Sequence, residues 1–259
     1  MSGYWHIVRY ELFGLFISPA TYISCFYFLA LLGVGFRFFI EGFASTDWIL
    51  PPLSSLIVGL VFGSPALIPF LTMRAFAEER RLGTLETLMS APVGCFALVF
   101  GKWTASLVFF CIIACLCLCF PLLLWFGFPD QGQSLGFHMP EQWIGGGIFL
   151  FGFGCSFTAV GIFASSLTNN QMVAGMLTFT LLTLYLSTMA FSFGESVEYE
   201  HLNTLGDFIR ICLGSLNQGL NKAQHFAVGI LDLSTLIHQA IITFFFLWIT
   251  SLQIERLKH

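Results

Sequence analysis

The sequence TMRAFAEERRLGTLETLMSAPV, residues 72–93, is the most densely charged segment of an otherwise apolar chain. Its six charged residues are Arg74, Glu78, Glu79, Arg80, Arg81 and Glu86. Long apolar runs lie on both sides of it, at residues 53–71 and 103–126. A charged segment between two runs of membrane-spanning length is expected in water, close to the bilayer surface. The segment therefore predicts a membrane protein in which it connects two neighbouring spans.

The local pattern of this segment is helical. Gly83 separates a charged half from an apolar half, and Pro92 ends the second half. Arg74 and Glu78 are four residues apart and can pair on a helix. The apolar half forms one predicted stripe at helical spacing, made of Leu82, Leu85, Leu88 and Met89. These features predict two short amphipathic helices joined at Gly83.

The composition of the whole chain supports a membrane location. Only 9% of the 259 residues are charged and 57% are hydrophobic, whereas soluble domains carry about 25% charged residues. The 25 glycines and 32 phenylalanines are typical of long helices that pack through small residues. The net charge is −4, and the sequence contains no basic patch that could bind nucleic acid. No nucleic-acid partner is therefore expected.

The apolar runs predict an all-α, polytopic fold with six transmembrane helices in a single domain, residues 1–259. The expected spans are residues 20–39, 53–71, 103–126, 143–165, 172–193 and 234–252. Residues 2–17 are aromatic and moderately amphipathic, and they form either an interfacial helix or an early start of the first span. Residues 205–216 predict a short extracytoplasmic helix at the outer leaflet, with a re-entrant helix pair as the alternative.

No catalytic or metal site is predicted. The cysteines at positions 111–119 lack the paired C-x-x-C spacing of zinc sites and have no histidine nearby. Gly101 and Lys102 do not belong to a phosphate-binding loop, because Phe96 and Trp103 occupy its required glycine and hydroxyl positions. Lys102 is interpreted instead as a cytoplasmic anchor for the third span. The chain is therefore not expected to be an enzyme.

Polar residues on the fifth predicted span have two interpretations. They either face a polar pathway or bond only to backbone carbonyls of their own helix. The four candidates are Thr180, Thr183, Ser187 and Thr188.

Basic residues predict the orientation of the chain in the membrane. With both termini cytoplasmic, seven basic residues are inside, and they are Arg9, Arg74, Arg80, Arg81, Lys102, Arg256 and Lys258. Only Arg210 and Lys222 are then clearly outside. Because basic residues concentrate on the cytoplasmic side, this orientation is favoured.

The block at residues 72–93 resembles the coupling segment of ABC type-2 exporter permeases, and most closely that of the gliding-motility-associated branch. Three further stretches share the resemblance: SPATY at residues 18–22, FASSLTNNQ at 163–171, and the His-Phe-x-x-Gly-x-x-Asp pattern at 225–232. Together they extend the resemblance over essentially the whole chain.

The resemblance implies a permease in the bacterial inner membrane, driven by a separate cytoplasmic ATPase that binds ATP and Mg²⁺, while this chain binds no cofactor. The implied partners are two ATPase subunits, a second permease that is identical or related, membrane lipid, and an accessory extracytoplasmic protein. The ATPase-docking residues are expected to be Arg74, Phe76, Glu78, Glu79, Arg80, Arg81, Gly83, Thr84 and Glu86.

The resemblance implies export by alternating access, and a second function stays open beside it. In this alternative the chain is a mechanical or assembly module that uses ATP-driven motion to act on an extracytoplasmic protein, and no small substrate crosses. For Glu78 and Glu79 the simpler alternative is that they pair only with their own arginines at the surface.

Overall fold

A computed structural model of the chain describes residues 2–44, 52–85, 94–127, 140–190 and 233–256. Over these residues the protein is helical and contains no strands, so the predicted all-α class is confirmed there. The helices are α1 (Ser2–Ile17), α2 (Pro19–Ala44), α3 (Pro52–Thr72), α4 (Ala77–Leu82), α5 (Cys95–Gly127), α6 (Pro140–Leu167), α7 (Gln171–Ala190) and α8 (Leu233–Arg256). The predicted helix at residues 205–216 lies outside the described residues.

Five of the described helices are long and apolar enough to cross a membrane. The five candidate spans cover Pro19–Phe38, Leu53–Leu82, Cys95–Gly127, Pro140–Leu167 and Leu233–Arg256. The second of these ranges includes α3, the turn after it and α4. The fifth predicted span corresponds to α7, whose apolar part Gln171–Ser187 is shorter than the other five. The structure therefore supports a multi-pass membrane protein, and the count of six spans stays a prediction.

Helix α6 lies at the centre of the bundle. It packs against α3, α5, α7 and α8, while α3 also packs against α2 and α7. The main core is built from apolar side chains of these helices, with Leu53, Leu56 and Leu60 of α3 fully buried. This topology brings the end of α3 and the start of α5 to the same end of the bundle, where residues 72–93 connect them.

Glycine lets the neighbouring helices approach α6 closely. A Cβ atom added at Gly154 would lie 2.6 Å from Cε1 of Phe110 on α5, which is closer than real Cβ atoms come. A Cβ atom at Gly146 would likewise collide with Ile57 of α3. The packing through small residues that the composition indicates is therefore present at these two positions.

Large apolar side chains cover the outside of the bundle. On α8, for example, Ile241, Phe244 and Trp248 are all more than half exposed. A continuous apolar surface of this kind is unfavourable in water but is satisfied by lipid chains. The outer surface is thus the one expected for helices that cross a bilayer.

The first helix is separate from the first span. Helix α1 ends at Ile17, α2 begins at Pro19, and α1 packs mainly against α5. Val8 and Leu15 face the bundle, whereas Trp5 and Tyr10 are exposed. This arrangement argues against the alternative of one long first span that starts early. The location of α1 in the membrane interface stays a prediction.

Candidate functional site

The charged segment forms a turn, a short helix and a left-handed stop. Residues 73–76 make the turn, α4 follows, and Gly83 ends α4 with φ at 71°. Its amide bonds back to the Arg80 carbonyl. A positive φ is favourable at glycine because it lacks a Cβ atom, which accounts for Gly83 at this stop. The first of the two predicted short helices is therefore present, and most of the second lies outside the described residues.

The predicted apolar stripe on this segment is wrong at one position. Leu85 is buried, but Leu82 is 62% exposed. The left-handed conformation of Gly83 breaks the helical register between these two residues, so they do not share a face. Leu88 and Met89 lie outside the described residues.

Phe76 anchors the segment in an apolar cluster at this end of the bundle. Its side chain is fully buried beside Leu98 and Val99 of α5, Ile162 of α6 and Ile254 of α8. Leu85 joins the same cluster from the other side of Gly83. The ends of α5, α6 and α8 therefore form the floor on which the segment lies.

Two serines at the end of α6 hold the segment, Ser165 through the segment's backbone and Ser166 through the Arg80 side chain. Ser165 Oγ accepts hydrogen bonds from the amides of Phe76 at 3.0 Å and Ala77 at 3.2 Å, and it lies 3.2 Å from the carbonyl of Met73. The guanidinium of Arg80 donates to the carbonyl of Ser166. Because the first amides of a helix have no partner within it, Ser165 satisfies donors that would otherwise be buried and unpaired.

A buried ion cluster lies beneath α4. Lys102 Nζ is 2.7 Å from Glu79 Oε1 and also bonds Glu11 Oε1 of α1. The side chain of Lys102 is only 1% exposed, and its ammonium lies 5.2 Å from the centre of the Phe76 ring. A buried ammonium is stable only when it is paired, and here two carboxylates pair it. Lys102, predicted to be a cytoplasmic anchor for the third span, is instead buried at the centre of this ion cluster.

Arg74 is also turned toward the protein. Its Nη1 donates to Ser18 Oγ at 2.8 Å, in the short break between α1 and α2. The expected pair with Glu78 is not among the ion pairs of the described segments, because Arg74 lies in the turn before α4 and not on one helix with Glu78. Arg74 thus ties the segment to the start of the first span.

The expected docking residues divide into an inner and an outer set. Phe76, Glu79 and Arg74 contact the chain itself, and Arg80 is half-buried against Ser166. The outer set is half-exposed or exposed and consists of Glu78, Arg81, Gly83 and Thr84. Glu86 lies outside the described residues. The segment therefore presents a charged outer face while its inner face is fixed to the bundle.

Sequence reasoning missed Glu11, Ser18, Ser165 and Ser166 as parts of this site. Two signals were available: Glu11 is an acidic residue in an aromatic helix, and all three serines lie within stretches that carry the family resemblance. Neither signal shows that these residues meet the charged segment, because the contacts join residues up to 92 positions apart.

Two of the four candidate pathway residues line a groove between α2, α3 and α7. Thr183 and Ser187 border this groove of about 450 Å³ together with Tyr27, Phe28, Phe62 and Pro65. Their hydroxyls also bond carbonyls of their own helix, at Phe179 and Leu184. Thr180 is exposed and bonds Met176, and the side chain of Thr188 lies outside the described residues.

Comparison with known proteins agrees with this architecture. The family model described as "ABC-2 family transporter protein" matches residues 41–252, which is most of the chain. None of the curated proteins compared with the chain matches it. The matched range includes the charged segment, the central helix α6 and the last span. The chain therefore belongs to the ABC-2 transporter family and is a multi-pass membrane permease subunit of an ABC transporter.

Proposed function

We propose that this permease is driven by a separate ATPase, which binds the outer face of residues 73–85, and that it moves its substrate out of the cytoplasm. One observation carries the proposal: the segment is fixed to the bundle on one side and presents Glu78, Arg81 and Thr84 on the other. When a partner displaces a segment with this arrangement, the displacement is transmitted to several helices at once.

The two sets of residues have different parts in this proposal. The outer residues contact the ATPase and set its register, since charge at an interface contributes to specificity and association rate. Arg74, Phe76 and Glu79 act from beneath, because their side chains hold the segment in position. Arg80 belongs to both sets. Glu86 lies outside the described residues, and its docking role rests on the sequence alone. Docking through Glu79 is thus indirect, by way of its bond to Lys102.

ATP and Mg²⁺ bind the partner and not this chain. As members of the family work with ATPases and as pairs, two permeases each carry one ATPase. Closure of the ATPase pair around ATP then displaces the segment, and the displacement changes the packing of α3 and α5 to give alternating access. The kinship with the gliding-motility branch and the outward direction both rest on the resemblance of residues 72–93.

The proposed orientation has six spans, with both termini and the charged segment in the cytoplasm of a bacterial cell. Helix α7 has 20 residues, so at about 1.5 Å per residue it matches the hydrocarbon thickness of about 30 Å. The basic residues Arg74, Lys102 and Arg256 belong to the same end of the bundle. This clustering is expected of a cytoplasmic side.

The groove beside α7 is the proposed route for substrate. Thr183 and Ser187 give a polar edge to an otherwise apolar and aromatic surface. Because their hydroxyls can bond both the helix carbonyls and a passing ligand, the groove suits an amphipathic substrate better than a highly charged one.

Purification of the intact complex from its native membrane tests this function. We expect an accompanying protein with a phosphate-binding loop, and ATP hydrolysis that a lipid or small solute stimulates after reconstitution. Hydrolysis that responds only to an extracytoplasmic protein would favour the mechanical module. A complex without any ATPase would contradict both functions.

A further inference from the structure

The buried ion cluster joins three elements that are far apart in the sequence. Glu11 belongs to α1, Glu79 to α4 and Lys102 to α5. The same ammonium contacts one oxygen of each carboxylate, so a single cation holds both. Burial of charge is unfavourable unless the charges are paired, and removal of one partner leaves the others uncompensated. The three residues are therefore interdependent.

The surroundings of Lys102 make this cluster rigid on the α1 side. Tyr4 Oη donates to Thr104 Oγ1 at 3.0 Å, two residues after the lysine. Gly101, the residue before Lys102, faces Ile7, and an added Cβ would lie 2.9 Å from Ile7 Cγ2. Helix α1 thus lies directly on the backbone of α5 at the point where the lysine emerges.

On the α4 side, the cluster supplies the link to α1, beside the bonds that hold the segment to α6. Apart from its contacts with α6 and α7, α4 reaches α1 through Lys102. The second oxygen of Glu79, Oε2, is buried without a hydrogen-bond partner among the described residues. Glu79 is therefore kept in place by its bond to the lysine and not by a network of its own.

The position of Lys102 along α5 makes a charged side chain tolerable there. Helix α5 has 33 residues, which is about 50 Å at about 1.5 Å per residue, longer than the hydrocarbon core of about 30 Å. Lys102 lies two turns from the start of the helix, so it belongs to the part that extends beyond the hydrocarbon. The cluster is buried by protein, at the end of the bundle where the charged segment lies.

We propose that the Glu11–Lys102–Glu79 cluster is a clasp through which α1 moves together with the charged segment. Lys102 is a positioning residue in this proposal. The ATPase then moves α1 in addition to α3 and α5. The inference rests on the proposed function for the source of the motion, but the clasp itself is a property of this chain. Movement of α1 along the bilayer surface then accompanies each opening of the bundle.

Distances between spin labels test the clasp. Nitroxides are attached to clickable amino acids at Tyr10 and Leu82, which are 77% and 62% exposed, so the native cysteines remain. A second pair joins Leu82 to Ile144, which is exposed at the opposite end of α6. The chain is purified from its native membrane with its accompanying subunits and measured without nucleotide and with a non-hydrolysable ATP analogue.

The clasp predicts one narrow distance between positions 10 and 82 in both states, while the distance between 82 and 144 changes with nucleotide. Glu11→Gln keeps the shape of the side chain but weakens its bond to Lys102, so the narrow 10–82 distance distribution should broaden. Glu79→Gln should have the same effect. The control Arg9→Gln removes an exposed charge next to Glu11 on α1 and should leave the distribution as in the wild type.

Two results would overturn the clasp: a narrow 10–82 distance that survives both glutamine substitutions, or a wild-type 10–82 distance that changes with nucleotide as much as 82–144 does. A third result separates the two proposals. If the substitutions broaden the 10–82 distance but no distance responds to nucleotide, the clasp is supported and the ATP-driven function is contradicted.

Discussion

At the scale of single residues, the two neighbouring carboxylates of α4 have different environments. Glu79 points inward to Lys102, and its side chain is 20% exposed, whereas Glu78 forms no ion pair among the described residues. The sequence presents them as an equivalent pair, Glu-Glu before Arg-Arg. Their difference is set by tertiary contacts with α1 and α5, so it was not accessible from the local pattern.

Charge reversal should separate these two residues. Glu79→Lys places a second ammonium beside buried Lys102, and breaking a buried pair costs about 3–5 kcal/mol, so the purified protein should unfold at a clearly lower temperature. Glu78→Lys, the matched control, should change stability by only about 0.5 kcal/mol, as surface substitutions usually do. Thermal unfolding in detergent, followed by size-exclusion chromatography, measures both. Equal stability of the two variants would contradict the buried cluster.

Ser165 is the residue whose loss should loosen the backbone of the segment. Ser165→Ala leaves the amides of Phe76 and Ala77 without their acceptor, and each buried, unpaired group costs about 1–3 kcal/mol. Ser156→Ala is the control, since this equally buried serine bonds only a carbonyl of its own helix. The same unfolding assay should show a larger loss for Ser165→Ala. A loss no greater than that of the control would mean that the serine does not hold the segment.

At the scale of elements, the sequence predicted the helices better than their partners. The apolar runs at residues 53–71, 103–126, 143–165 and 234–252 correspond to α3, α5, α6 and α8, because length and composition alone decide whether a helix can cross a bilayer. The break at Gly83 was also predicted, since only local backbone chemistry is involved. The attachment of α4 to α6 and the burial of Lys102 depend on long-range packing, which no single stretch of sequence contains.

The close contact of α5 with α6 gives a prediction at this scale. Gly154→Ala forces a Cβ atom against the ring of buried Phe110, and overpacking of this kind costs about 1–3 kcal/mol. At Gly147 of the same helix, an added Cβ atom has no other atom within 4 Å. Gly147→Ala should therefore be neutral or slightly stabilising. The unfolding temperature should therefore fall for Gly154→Ala and stay the same or rise slightly for Gly147→Ala. A stable Gly154→Ala protein would contradict the helix packing described for this interface.

At the scale of the whole molecule, the proposed orientation in the membrane rests on where the basic residues lie. Arg74, Lys102 and Arg256 share the end of the bundle that carries the charged segment, although they are far apart in the sequence. Basic residues concentrate on the cytoplasmic side of membrane proteins. The cytoplasmic placement of this end stays a prediction, which the sequence indicates by its count of basic residues.

Cysteine labelling in cells tests this orientation. In a background without the native cysteines, His6→Cys should react with a membrane-impermeant maleimide only after permeabilisation. Glu200 follows the fifth predicted span on the side opposite to the termini, so Glu200→Cys should react in intact cells. A variant without any cysteine is the control for background labelling. The reverse pattern of accessibility would sink the orientation and, with it, access of a cytoplasmic ATPase to the charged segment.

The central claim is that the outer face of residues 73–85 binds an ATPase, and site-specific photocrosslinking tests it most directly. A photoreactive amino acid replaces either exposed Arg81 or Phe151, which is 53% exposed on the apolar surface of α6. After irradiation of native membranes, position 81 should form an adduct with a protein that carries a phosphate-binding loop, while position 151 should form none. An adduct of equal strength at both positions, or no ATPase adduct at position 81, would contradict the claim.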